Sequence, residues 1–168
     1  MTMTDEAKTK VKNALAETPG AVLEQVAKEN GVTVADVVSC LLPEQVRTIS
    51  GDKFEAVMTE ISTWGEITFI VATNDVIFEA KGEVPTGSVG RGFYNLHGKP
   101  IGGHLNLNNC ASISFVSRPL FTSDTHSVQF YNHDGGCMFK IYLGRDADRK
   151  LIPEQVATFK AYREKMAG

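Results

Sequence analysis

The sequence predicts an α+β fold: N-terminal helices, an antiparallel β-sheet meander and a C-terminal helix. Three observations carry that expectation. Apolar residues recur at three-and-four spacing up to Trp64-Gly65, give way to runs of Val, Ile, Phe and Thr from Glu66, and return to helical spacing after Pro153. The β-type runs are joined by short turn segments, which suit antiparallel neighbours rather than helix-linked parallel strands. A chain of 168 residues, 42% hydrophobic and 22% charged, is long enough to bury a core without disulfides. One domain over 1–168 is expected, with a helical front at 1–65, a sheet at 66–145 and a last helix at 153–166.

The first helix is expected over 4–17, with Ala7, Val11, Ala14 and Leu15 on one stripe. Thr18 can cap a second helix, with Pro19 at its first position and Gly31 ending it. Thr33 and Asp36 have capping-box spacing ahead of Val37, Val38 and Leu41, and Pro43 stops that helix. Ser50 or Asp52 opens a fourth, whose Phe54, Val57, Met58 and Ile61 share one buried face. Strands follow at about 67–73, 76–84, 91–96, 103–107, 111–117, 127–132 and 137–143. Asn74-Asp75, Pro85-Thr86-Gly87, Asn108-Asn109 and Asp134-Gly135-Gly136 supply turns between them. Pro153 starts the last helix, with Val156, Phe159 and Tyr162 on one side. About seven strands leave two sheet edges, for which Ile67–Thr73 and Ala111–Ser117, poor in charge, are the candidates.

Composition excludes several function classes. A net charge of -3 argues against a broad basic face for nucleic acid. Cys40, Cys110 and Cys137 lie far apart, which excludes a zinc knuckle and a thioredoxin-type pair and suits free thiols in a reducing compartment. Met1 to Glu6 has no basic or apolar leader, and the apolar strip Ile67–Phe78 is broken by Asn74-Asp75 and too short to span a bilayer. The expectation is a cytoplasmic protein with no membrane insertion.

The segment from Gly82 to His104 carries the chemistry. Glycines at 82, 87, 90, 92, 98, 102 and 103 clear side chains from the backbone, while Tyr94, His97 and His104 offer metal-ligating atoms and Arg91 and Lys99 offer cations. A flat anionic ligand carrying its own metal needs all three, and haem is such a ligand. On a strand, Tyr94 shares a face with Gly92 and Leu96, with open space beside its ring, while Phe93 faces the other way with Arg91 and Asn95. A phenolate is a hard donor for ferric iron; the competing reading is a sheet tyrosine that packs its ring and wets its hydroxyl. His104 follows two glycines on the more polar face, His97 precedes Gly98 at a strand end, and His126 and His133 fall in loops. Leu23 to Val38 has the rhythm of a helix-turn-helix. Between Val34 and Leu42, however, there is no Arg, Lys, Gln or Asn to read bases, so two packed helices are the better reading.

The chain resembles the cytosolic haem-utilisation carriers of the HutX/ChuX type from about Pro19 to Arg163. Leu23-Glu24-Gln25-Val26-Ala27, Gly51-Asp52-Lys53-Phe54, Trp64-Gly65, Gly92-Phe93-Tyr94-Asn95, Gly103-His104-Leu105 and Leu143-Gly144-Arg145-Asp146 carry the resemblance. It implies a homodimer built around the sheet and binding of ferric haem (protoporphyrin IX) for transfer to a haem-degrading enzyme. Tyr94 maps to the axial iron ligand. Other members carry histidines just before the tetrapeptide; here Ser88, Val89 and Gly90 stand there, which leaves His104 as the family-compatible second ligand. The implied protein is a carrier with no catalytic residue. The alternative is a haem-degrading oxygenase, which tyrosine ligation fits poorly.

Overall fold

The computed structural model describes residues 2–168. Helix α1 (Asp5–Glu17) is capped by Thr4, whose hydroxyl accepts the Ala7 N–H, and it buries Val11. Thr18 does not cap the second helix. Its N–H closes α1 on the Ala14 carbonyl, and α2 (Leu23–Asn30) begins four residues later than Pro19 without a side-chain cap. The reason is tertiary: the Arg118 guanidinium donates to the Pro19 and Ala21 carbonyls at 2.8 Å each, so this segment is held as a connector. Gly31, at φ 64°, ends α2 in the left-handed region that glycine adopts without strain. The capping box of Thr33 and Asp36 opens α3 (Val34–Ser39) as the spacing predicts.

Before the fourth helix the chain forms a strand that the sequence reading missed, β1 (Val46–Ser50). Its five residues sit among turn formers and acquire strand character only by pairing with the later strand β7 (Cys110–Leu120), Val46 opposite Val116 through Ser50 opposite Ser112. Ser50 then caps one 3-10 turn (Gly51–Lys53) leading into α4 (Phe54–Ile61), whose Phe54, Val57, Met58 and Ile61 are all buried. Gly51 is required by closeness, since a Cβ there would stand 2.1 Å from the Cys110 carbonyl oxygen.

The remaining strands are β2 (Glu66–Ala72), β3 (Ile77–Glu83), β4 (Ser88–Gly90), β5 (Phe93–Leu96), β6 (Gly103–Leu105), β7 (Cys110–Leu120), β8 (Ser123–Asn132) and β9 (Cys137–Leu143). They form two antiparallel sheets in place of the single meander expected. Six strands make the large sheet, in the order β1-β7-β8-β9-β2-β3, and β4-β5-β6 make a small one. β2 and β7 are interior, so the expected edges are wrong. The edges are β1 and β3, because β9 returns to pair with β2 and β1 covers β7.

One face of the large sheet carries Phe69, Ile141, Val128 and Phe115 in register. It packs on α4, on the closing helix α5 (Pro153–Ala167) and on the small sheet. The other face holds Val116 and Tyr131 against α1, α2 and α3. Buried aromatics of this kind contribute about 1.5–3 kcal/mol each. Beneath α2 the sheet is polar: Lys140 pairs with Glu24 at 2.5 Å, and the Tyr131 hydroxyl donates to Gln129. Gln155 joins three elements on the far side. Its amide donates to the Trp64 and Glu66 carbonyls at 2.9 and 2.8 Å and accepts the Gly144 N–H at 2.6 Å. Among the described residues no helix is long and apolar enough to cross a membrane.

Candidate functional site

The small sheet contains the Gly-Phe-Tyr-Asn segment, and its two faces differ in what they touch. β4 and β5 join through Arg91 and Gly92, at φ 54° and 83°, between the paired Gly90 and Phe93. Two positive φ values in a two-residue loop make a hairpin turn that matches strand twist. Arg91 and Gly92 are therefore turn residues, not the strand residues the alternation predicts. Nothing lies within 4 Å of a Cβ placed on Gly92, so that glycine serves backbone conformation rather than space beside a ring.

Tyr94 points into the core and has no exposed surface. Its ring stands edge-on to Phe54 at 5.8 Å, and its hydroxyl accepts the Gly87 N–H at 3.1 Å. The open space expected beside the ring is filled, because the 84–88 segment folds over it. A Cβ on Gly87 would lie 2.3 Å from a Tyr94 ring carbon, so Gly87 is the residue that admits this contact.

The opposite face brings Phe93, Asn95 and His104 together. Asn95 is paired with His104 across β5 and β6, and its Oδ1 lies 2.7 Å from His104 Nδ1. The Asn95 amide nitrogen donates to the carbonyls of Ser88, Gly90 and Phe93 at 3.1, 3.1 and 3.3 Å. Three acceptors settle which end of the amide is nitrogen, so Oδ1 must accept and His104 Nδ1 must carry the proton. Nε2 of the exposed His104 is left with its lone pair free. A fixed hydrogen bond behind one ring nitrogen orients the other as a ligand. Phe93, 39% exposed, sets its ring edge-on to this imidazole at 6.1 Å. Asn95 is the residue whose role the sequence reading did not see; the strand register that reveals it is not a local signal.

His97 and Lys99 lie exposed in the loop between β5 and β6, and neither makes a side-chain hydrogen bond or ion pair among the described residues. Arg91 is likewise exposed and in no ion pair among the described residues. Among the described residues no three His, Cys, Asp or Glu side chains gather to hold a bare metal ion. A single oriented imidazole beside an aromatic ring and cations suits a metal that arrives within a flat anionic ring. The three cysteines are free, and burial pushes Cys110 to about 11 and Cys137 to about 12, which keeps both as inert thiols.

The architecture and the segment on its small sheet define a family. Residues 47–162 match the family described as haem utilisation ChuX/HutX, and the chain belongs to it. It is 38% identical over 156 residues to the intracellular heme transport protein HutX of Vibrio cholerae, covering 92% of this chain and 81% of that one. A crystal structure of a protein from Erwinia carotovora superposes with a TM-score of 0.90 at 39% identity, over 98% of this chain and 99% of that one. The heme binding protein ChuX superposes at 0.87 with 35% identity, over 94% and 99%. The matched segment begins at β1 and leaves α1 to α3 outside it.

Proposed function

We propose that the chain binds ferric haem on the outer face of the small sheet and carries it to a haem-degrading acceptor. The carrying observation is the His104 imidazole, held at Nδ1 by Asn95 and open at Nε2 beside Phe93. Arg91, His97 and Lys99 are cationic or protonatable groups around that face, suited to the carboxylates of protoporphyrin IX. Tyr94 is the second donor. Its oxygen becomes available when the 84–88 segment lifts and the Gly87 hydrogen bond breaks, so ligation by Tyr94 is coupled to a local opening. A phenolate holds ferric iron well and ferrous iron poorly, which favours release on reduction or to a stronger ligand. Carriage inside the cell agrees with the name of the Vibrio relative.

Hemin titration of the wild type, Tyr94→Phe and His104→Ala tests this reading. Saturable binding is expected, with a phenolate charge-transfer band lost in Tyr94→Phe or an imidazole-type spectrum lost in His104→Ala. No binding by the wild type would defeat it.

The carrier is further proposed to be a homodimer. Edge strand β3 and its hairpin expose Val76, Ile77 and Phe78 at 56, 72 and 64%, an apolar edge without a partner strand. Light scattering at micromolar protein should give twice 18.3 kDa, and Ile77→Lys with Phe78→Lys should return the mass of one chain.

A further inference from the structure

Tyr94 and His104 offer their donor atoms to opposite faces of one three-stranded sheet. Tyr94 stands opposite Val89 and Leu105, and Asn95 opposite Ser88 and His104, so the phenol turns into the core and the imidazole to solvent. One iron cannot reach both while the sheet is intact. We propose that residues 86–90 form a gate over Tyr94, latched by Asn95, and that imidazole and phenolate take the iron in turn as this gate closes and opens. The proposal rests on haem as the cargo.

The gate is bounded by fixed chain at both ends. Val84 has 2% of its surface exposed, and Pro85 packs so closely on Gly98 that a Cβ there would stand 2.9 Å from the proline ring. At the far end Arg91 and Gly92 make the hairpin turn. Between these anchors Thr86, Ser88 and Val89 are exposed, so lifting them takes little apolar surface out of the core. What holds the segment down is polar. β4 pairs with β5 over three residues, the Gly87 N–H donates to the Tyr94 hydroxyl at 3.1 Å, and Thr86 Oγ1 reaches Ser62 Oγ, just past α4, at 3.4 Å. A short segment with few apolar contacts, whose hydrogen bonds water can replace, opens locally without unfolding the rest.

Asn95 ties this opening to His104. Its amide nitrogen donates to the Ser88 and Gly90 carbonyls, both on β4, while its Oδ1 accepts from His104 Nδ1. One amide thus holds the gate at one end and the imidazole at the other. With the gate shut, His104 is oriented for the iron and the phenol is covered. When the gate lifts, the Gly87 N–H leaves the phenol oxygen, whose proton passes to water as the phenolate binds ferric iron. The same movement takes two acceptors from the Asn95 amide, leaving the Phe93 carbonyl, and frees it to turn away from His104. Exposing one donor therefore loosens the other.

The test uses a staple. The Oγ atoms of Ser62 and Thr86 are close enough for cysteine sulfurs in their place to join. In the Ser62→Cys/Thr86→Cys variant, oxidised and with the bond confirmed by mass, hemin should give an imidazole-type spectrum without the phenolate charge-transfer band. Reduced with a phosphine before hemin is added, the same protein should show the band. In His104→Ala, where the phenol is the donor left, the rate at which the band grows should level off as hemin concentration rises, because opening precedes ligation. Adding Asn95→Ala should raise that limiting rate about tenfold, the effect of losing one or two net hydrogen bonds from the closed gate. A full phenolate band in the stapled protein, a limiting rate that Asn95→Ala leaves unchanged, or a spectrum with both ligands on one iron overturns the gate. A wild type that binds hemin and never shows the phenolate band overturns the gate and leaves the carrier reading standing. A wild type that binds no hemin overturns both.

Discussion

The two sheets treat polar side chains in opposite ways. On the large sheet, helices cover most of one face and an aromatic core the other, and among the described residues the buried side-chain polar atoms have partners apart from Arg118 Nε. Gln155 uses both ends of its amide on three backbone groups, and Lys140 is closed by Glu24. The small sheet is buried on one face only. Tyr94 and Leu96 go into the core, while Asn95 and His104 stand outside, and His104 is pinned at Nδ1 by Asn95 and free at Nε2. A fully satisfied polar group holds structure together, whereas a half-satisfied, exposed and oriented one is available to a ligand. The contrast marks the candidate site better than residue type does, because both sheets contain histidine and tyrosine.

The largest effect should follow from breaking the face that the two sheets share. Phe54 contacts Tyr94 from one sheet and Phe130 and Phe139 from the other, with 1% of its surface exposed. Phe54→Ala should cost about 3–5 kcal/mol in urea unfolding. A cost under 1 kcal/mol would show that the sheets do not share one core.

Gln155→Leu comes next. It leaves the Trp64 and Glu66 carbonyls and the Gly144 N–H without a partner, for an expected loss of about 2–4 kcal/mol by the same measurement. Hemin affinity should stay within about twofold, since nothing on the small sheet touches it.

Asn95→Ala should reverse that profile. Its bonds lie at the surface of a three-stranded sheet, so stability should fall by about 1 kcal/mol or less. Loss of the group that orients His104 should weaken hemin binding about 10–100-fold. Equal effects on stability and binding in both variants would erase the distinction between the sheets.

Much of the fold was legible locally. The Thr33 and Asp36 capping box, the face of α4 and the change of period at Glu66 all depend on residues within a turn or two of each other. Two of the misses depend on distant partners. The start of α2 shifted because Arg118, far along the chain, holds the Pro19 and Ala21 carbonyls. Strand β1 exists through β7, and β4 is three residues long and is defined by its pairing with β5. At the site, alternation correctly put Tyr94 and Leu96 on one face and Phe93 and Asn95 on the other. It misplaced Arg91 and Gly92, since a hairpin turn interrupts strand periodicity.

By itself the sequence determined the α+β class, the amphipathic helices, the aromatic and imidazole groups gathered between Gly82 and His104, and the family resemblance. Those properties reside in short-range periodicity and residue identity. Only the tertiary structure decided that the strands divide into two sheets, that Gly87 closes over the Tyr94 hydroxyl, and that Asn95 sets the tautomer of His104. Each of these is a contact between segments whose register is chosen by the packing of the whole core. A side chain's free atom is what remains after every other atom has found its partner.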